Sequence, residues 1–166
     1  MKNKLFLSYG FYIAIVAILG LYLSSFVEPK SFMAGLIGIL TKLVIVYLIY
    51  NGILEYFRQT NEPLTFGNIF KSGFLMSLVG AVLFAIFVYI FYEYLMPGFK
   101  ESLIEQGIQH MKEQANLPED QLEKSIETTK KYFSYFAMTG AFLDMIIVGT
   151  VTSILVGLWK RERTAE

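Results

Sequence analysis

Cysteine is absent from the 166 residues, histidine occurs once and tryptophan once. Without cysteine there are no disulfides, thiolate metal sites or cysteine nucleophiles, and the redox compartment is left open. The single histidine, His110, has Glu105, Gln106 and Glu113 nearby in sequence. One imidazole among solvated carboxylates reads as a surface residue, so no metal site is expected. Charge is also scarce. Asp, Glu, Lys and Arg make up 17% of the chain, against about 25% in soluble domains. They balance to zero, which gives no general argument for nucleic acid. No HExxH, nucleophile elbow or glycine-rich phosphate loop is present. Serine and aspartate cannot form a triad with a histidine that lies outside a bilayer. Neither a catalytic centre nor a cofactor is expected.

What the chain has in quantity is apolar length. Hydrophobic residues are 55% of it and mean hydropathy is +0.51. Four runs cover residues 5–27, 32–54, 72–96 and 135–159. Each has about the 20 residues needed to cross a hydrocarbon core as a helix, with some to spare for tilt. The expectation is an all-α polytopic membrane protein, with one four-helix domain over residues 1–166. Lys2 and Lys4 give a basic start, but the first run is about twice a signal peptide's apolar length and no small-x-small cleavage pattern follows. It reads as a retained signal anchor.

Charge distribution orients the bundle. With the N-terminus inside, the cytoplasmic segments hold seven cations (Lys2, Lys4, Arg58, Lys71, Lys160, Arg161 and Arg163) against four acids, net +3. The opposite side holds six lysines spread over longer segments against eight acids, net −2. The positive-inside rule then favours both termini in the cytoplasm and an inner-membrane location. Tyr22, Tyr89, Tyr92, Tyr94, Tyr132 and Tyr135 would form the outer aromatic belt and Trp159 the inner one.

Only residues 97–134 form a substantial water-exposed segment. Pro97-Gly98 is expected to stop the third helix. Phe99, Leu103, Ile108 and Met111 then mark the stripe of one helix, and Asn116-Leu117-Pro118 a turn. Pro118, Glu119 and Asp120 suit the first turn of the next helix. Its stripe of Leu122, Ile126, Thr129 and Phe133 runs into the fourth span without a breaker. One helix is predicted from about Pro118 to Trp159, paired with its predecessor as an extracytoplasmic hairpin. On the inner side, Thr65 can cap a helix start at Phe66–Lys71. That segment is expected to lie among the headgroups before turning into the third span.

Two charges stand deep in apolar runs, Lys42 and Asp144. Inserting either costs about 2.5–3.5 kcal/mol. Both fall about 13–16 Å below the outer end of their helices, so they invite an ion pair. Gly35 and Gly38 share Lys42's face; Ala137, Gly140 and Ala141 share Asp144's. The pair could fix helix register or serve as an ion relay. A weak internal duplication is also visible. At an offset of 102 residues Lys42 falls on Asp144 and Arg58 on Lys160.

Small residues recur at four-residue spacing elsewhere: Gly73, Ser77, Ala81 and Ala85 on the third helix, and Gly149, Ser153 and Gly157 on the fourth. Gly10, Ala14 and Ala17 share a face of the first. Such stripes let helix backbones approach closely. The simpler reading is packing within the monomer. The alternative is that the fourth helix's stripe, facing away from Asp144, contacts a second subunit in a homodimer.

With these features the chain resembles an uncharacterised bacterial family of four-helix membrane proteins, catalogued as a domain of unknown function (number four-one-nine-nine). The resemblance covers almost the whole length. It rests on Tyr56 and Arg58, on Thr65-Phe66-Gly67, Phe70-Lys71 and Gly73, and on the Glu/Lys-rich segment with His110-Met111-Lys112. It implies an inner-membrane location and assigns no activity. The expected function is therefore a non-catalytic membrane protein whose acidic hairpin engages a membrane or periplasmic protein partner. The alternative is a small oligomeric transporter or channel using Lys42 and Asp144.

Overall fold

The computed structural model describes residues 2–29, 31–60, 62–114 and 119–163. These form α1 (Lys2–Ser24), α2 (Phe32–Thr60), α3 (Phe66–Ile90), a π-helical turn (Phe91–Leu95), α4 (Pro97–Gln114) and α5 (Glu119–Arg163). No strand occurs among the described residues. Four helical segments are long and apolar enough to cross a membrane: Lys4–Ser24, Phe32–Thr60, Phe66–Leu95 and Asp120–Lys160. The architecture is an all-α polytopic membrane bundle.

Short connections set the order of the helices. Ser31 N–H donates to the Glu28 carbonyl at 3.1 Å, and the Ser31 hydroxyl then accepts from Ala34 N–H at 3.2 Å. The turn thus leads straight into the cap of α2, which runs back antiparallel to α1. At the opposite end Thr65 is extended (φ −83°, ψ 151°) and its hydroxyl accepts from Asn68 N–H at 3.3 Å. The Asn68 side chain donates to the Pro63 carbonyl at 3.2 Å. The expected headgroup segment does not turn. Residues 66–71 are the first turns of a continuous α3. Ile69, Ser72 and Gly73 are already buried there, and packing so close to the start holds the segment in line with the span.

The far end of α3 also departs from expectation. Regular α-helix stops at Ile90 and the next five residues widen into a π turn, closed by Met96 N–H donating to the Phe91 carbonyl at 2.8 Å. Met96 leaves helical geometry (φ −136°, ψ 58°), as a residue before proline favours. Pro97 does not end α3; it is the first residue of α4, where its missing N–H costs nothing.

The helix predicted to run unbroken into the fourth span does so. α5 has 45 residues, about 67 Å at 1.5 Å per residue. Its first third lies against α4, and the two segments are termed the arm. Pro118 and the predicted turn at Asn116–Leu117 lie outside the described residues. α4 buries Ile104 and half-buries Phe99, Leu103, Ile108 and Met111. Leu122, Ile126, Thr129 and Phe133 of α5 are likewise half-buried, while the acids Glu101, Glu105, Glu113, Glu123 and Glu127 stay exposed.

α3 is the central column, packed against α1 on one side and α5 on the other, while α2 leans mainly on α1. The main core gathers Ile13, Ile49, Ile53, Ile69, Met76 and Met145. A second cluster lies at the arm end, where Phe91 and Tyr92 meet Phe99 and Phe133. Tyr92, expected in an aromatic belt, is buried there, its ring stacked on Phe99 at 6.2 Å and edge-on to Phe133 at 5.3 Å.

Candidate functional site

α5 presents two small-residue stripes on different faces, and their surroundings differ. The first is Gly149, Ser153 and Gly157. A Cβ on Gly149 would collide with the Ser77 side chain of α3. One on Gly73 would collide with the Ser153 hydroxyl and stand 2.8 Å from Ile53 Cδ1. One on Gly157 would stand 2.8 Å from the Phe66 ring. The two hydroxyls turn inward along their own helices: Ser77 donates to the Gly73 carbonyl at 2.8 Å and Ser153 to the Gly149 carbonyl at 2.7 Å. This satisfies both polar groups within their own helices. Ala81 and Ala85, higher on α3, are buried as well. α1 joins the same way: Gly10 is buried, Ala14 and Ala17 are almost fully so, and a Cβ on Gly10 would meet Val79 at 2.5 Å. The stripe expected as an alternative dimer contact is therefore occupied inside the monomer by α3.

The second stripe carries the charges. Lys42 Nζ donates to Asp144 Oδ1 at 2.8 Å, joining α2 to α5 across 102 residues of sequence. The two helices enter from the same end, and the residues stand ten and nine positions in from Phe32 and Tyr135, about 14–15 Å down by helical rise. The pair is not enclosed by the bundle. Its side chains are 53% and 55% exposed and look outward. Beside them α2 and α5 diverge into an apolar groove of about 650 Å³, walled by Leu43, Val46 and Tyr47 on one helix and Ile147, Val151 and Leu155 on the other. Toward the arm, Gly35, Gly38 and Gly140 have nothing within 4 Å of where a Cβ would stand.

A third feature fixes the arm to the bundle. Glu93, in the π turn, accepts from Lys100 Nζ at 2.7 Å and from the Ser134 hydroxyl at 2.5 Å, both on the same oxygen, Oε1. Ser134 is buried and the Lys100 side chain is only 19% exposed. One carboxylate thus ties the end of α3 to both helices of the arm. From the sequence alone Glu93 is simply an acid near the end of an apolar run. Its available signal was the seven-residue reach to Lys100 across Pro97-Gly98. Two open grooves flank the α4–α5 contact. One, of about 510 Å³, is lined by Lys100, Glu101, Glu105 and Lys130; the other, of about 590 Å³, by Lys112, Glu123, Glu127 and Lys130.

His110 is exposed on α4, and no group of three or more metal-ligating side chains occurs among the described residues. Glu55 bonds locally, accepting from Gln59 Nε2 at 2.7 Å. No match is found among curated proteins or among solved structures. The model of one family, described as protein of unknown function (DUF4199), matches residues 8–162, nearly the whole length of α1 to α5. On that match, and on a fold of four membrane-spanning helices, the chain belongs to the DUF4199 family.

Proposed function

We propose that this is a non-catalytic protein of the cytoplasmic membrane, with both termini inside, whose acidic arm engages a protein partner on the outer side. One observation carries the reading: the arm is tied to the bundle at two points. Its second helix is the fourth span itself, uninterrupted over 45 residues. Its first helix is clamped to the third span through Glu93, Lys100 and Ser134. A carboxylate shared by two donors in a half-buried site resists reorientation. On this reading the arm's exposed acids and paired grooves are the recognition surface, and the clamp lowers the cost of ordering it on binding. The seven Lys and Arg concentrated in the short inner segments support the orientation.

The test is charge reversal on the arm. Glu101→Lys, Glu105→Lys, Glu123→Lys and Glu127→Lys together abolish complementation of a deletion strain and remove a discrete adduct formed by a photo-crosslinker at Gln109. Lys42→Met with Asp144→Leu spares both. The transporter reading rests on the mid-helix position of Lys42 and Asp144 and predicts the reverse. Full complementation by the charge-reversed arm would overturn the recognition role. Biotinylation of Glu105→Cys from outside intact cells, with Gln59→Cys protected, checks the orientation.

A further inference from the structure

Independently of what the arm binds, the face formed by α2 and α5 is unfinished within one chain. Ionisable residues inside a membrane almost always face a bundle interior or a water-filled cavity, because hydrocarbon solvates them poorly. Lys42 and Asp144 satisfy each other at 2.8 Å, yet more than half of each side chain stays open on the bundle's perimeter.

The glycines point the same way. Within the four spans Gly10, Gly20, Gly52, Gly73, Gly80, Gly149 and Gly157 are each pressed against a neighbouring side chain. Apart from Gly67, the second residue of α3, those with open space are Gly35, Gly38 and Gly140. All three share the faces of the charged pair. The spacing repeats on both helices: Gly35, Gly38, Lys42 on α2 and Ala137, Gly140, Asp144 on α5. Both helices run from the arm end toward the opposite end, so the two stripes lie parallel at matching depth.

We infer that this face is the seam of a homodimer, occupied by a second copy of the same chain. A surface bearing one cation and one anion at equal depth complements itself under a twofold axis along the membrane normal. Lys42 then meets Asp144 of the partner subunit and the reverse, as an isologous interface demands. Four charges alternate in one ring and each gains a second opposite neighbour. The open glycines admit the partner's helices at close range. A lipid chain offers no countercharge, and an unrelated helix would need its own matched pair at the same depth.

Two experiments test this in membranes of intact cells, using the naturally cysteine-free chain. In the first, Gly38→Cys on one tagged copy and Gly140→Cys on a differently tagged copy are co-expressed and oxidised. A two-tag disulfide dimer is expected, and none from Leu19→Cys, which is 53% exposed on α1. The second uses copies that cannot form the pair alone. Lys42→Asp makes one chain doubly acidic at the seam, and Asp144→Lys makes the other doubly basic. Each alone should lose the dimer band; together they should restore it as a mixed dimer. No two-tag product with wild-type charges would overturn the proposal. So would a product equally strong at Leu19→Cys, or native mass spectrometry showing only monomer with lipid or a different protein attached. Failure of the charge-swapped copies to recover together would confine the ion pair to one chain and sink the four-charge ring.

Discussion

α5 takes part in two seams, and the contrast between them is the main lesson of the structure. Against α3 it uses Gly149, Ser153 and Gly157, and every gap left by a missing side chain is filled from the other helix. Toward α2 it presents Gly140 and Asp144; the space before Gly140 is open, and the two helices are joined by the Lys42–Asp144 ion pair and the Tyr50–Trp159 ring contact. Both stripes place small residues three or four positions apart on one face of the helix. What separates them is the facing helix. α3 supplies Gly73 and Ser77 at complementary heights, whereas α2 leans mainly on α1 and meets α5 through the Lys42–Asp144 pair and the Tyr50–Trp159 ring contact. Small residues in a span therefore mark a place where a helix can come close. They do not say which helix, or from which chain.

The contrast can be broken from either side. The largest effect is expected at the filled seam. Gly149→Leu puts a branched side chain where the Ser77 side chain already sits and should cost about 3 kcal/mol, read as reduced membrane abundance and a lowered Tm in detergent. The ion pair comes next. Lys42→Met leaves Asp144 uncompensated in hydrocarbon and should cost about 2–3 kcal/mol. Adding Asp144→Leu should return most of that loss, because the expense lies in a charge without its partner. A double variant no better than the worse single would show that the pair contributes nothing. Glu93→Gln removes the charge that holds Lys100 and Ser134. It should cost about 1 kcal/mol and speed amide exchange in α4 while leaving α1 and α2 unchanged. The smallest effect on the fold belongs to the open seam. Gly140→Leu has empty space before it and should shift monomer stability by no more than about 0.5 kcal/mol, measured in the same detergent assay.

Much of this was legible in the residues. Apolar run length gave the four spans, and the absence of a breaker after Phe133 gave the long final helix. Lone charges at matched depth brought Lys42 to Asp144, and a hydroxyl before an apolar run gave the Thr65 cap. What escaped were matters of which surface meets which. The stripe of Gly149, Ser153 and Gly157 packs inside the monomer, as the simpler reading expected, but the subunit contact stayed open as an alternative because periodicity fixes faces and not neighbours. Tyr92 looked like a belt residue until the π turn rotated it into the Phe99–Phe133 cluster. The clamp at Glu93 depends on that same turn, whose i→i−5 bond has no sequence signature. The start of α3 went astray for a related reason. Aromatic residues at the head of a span suit an interface equally well, and only the burial of Ile69 and Gly73 against other helices keeps them in line.

On the proposal above, one seam of α5 is complete within the chain and the other is completed by a second copy. The most direct measurement is the dipolar distance between nitroxides on singly labelled Gly140→Cys protein in lipid bilayers, diluted well below crowding. Helices in contact lie about 8–10 Å apart, so one short, narrow distance is expected at this position and a distinctly longer one for Leu19→Cys. No dipolar coupling at Gly140→Cys, or the same broad distribution at both positions, would contradict it.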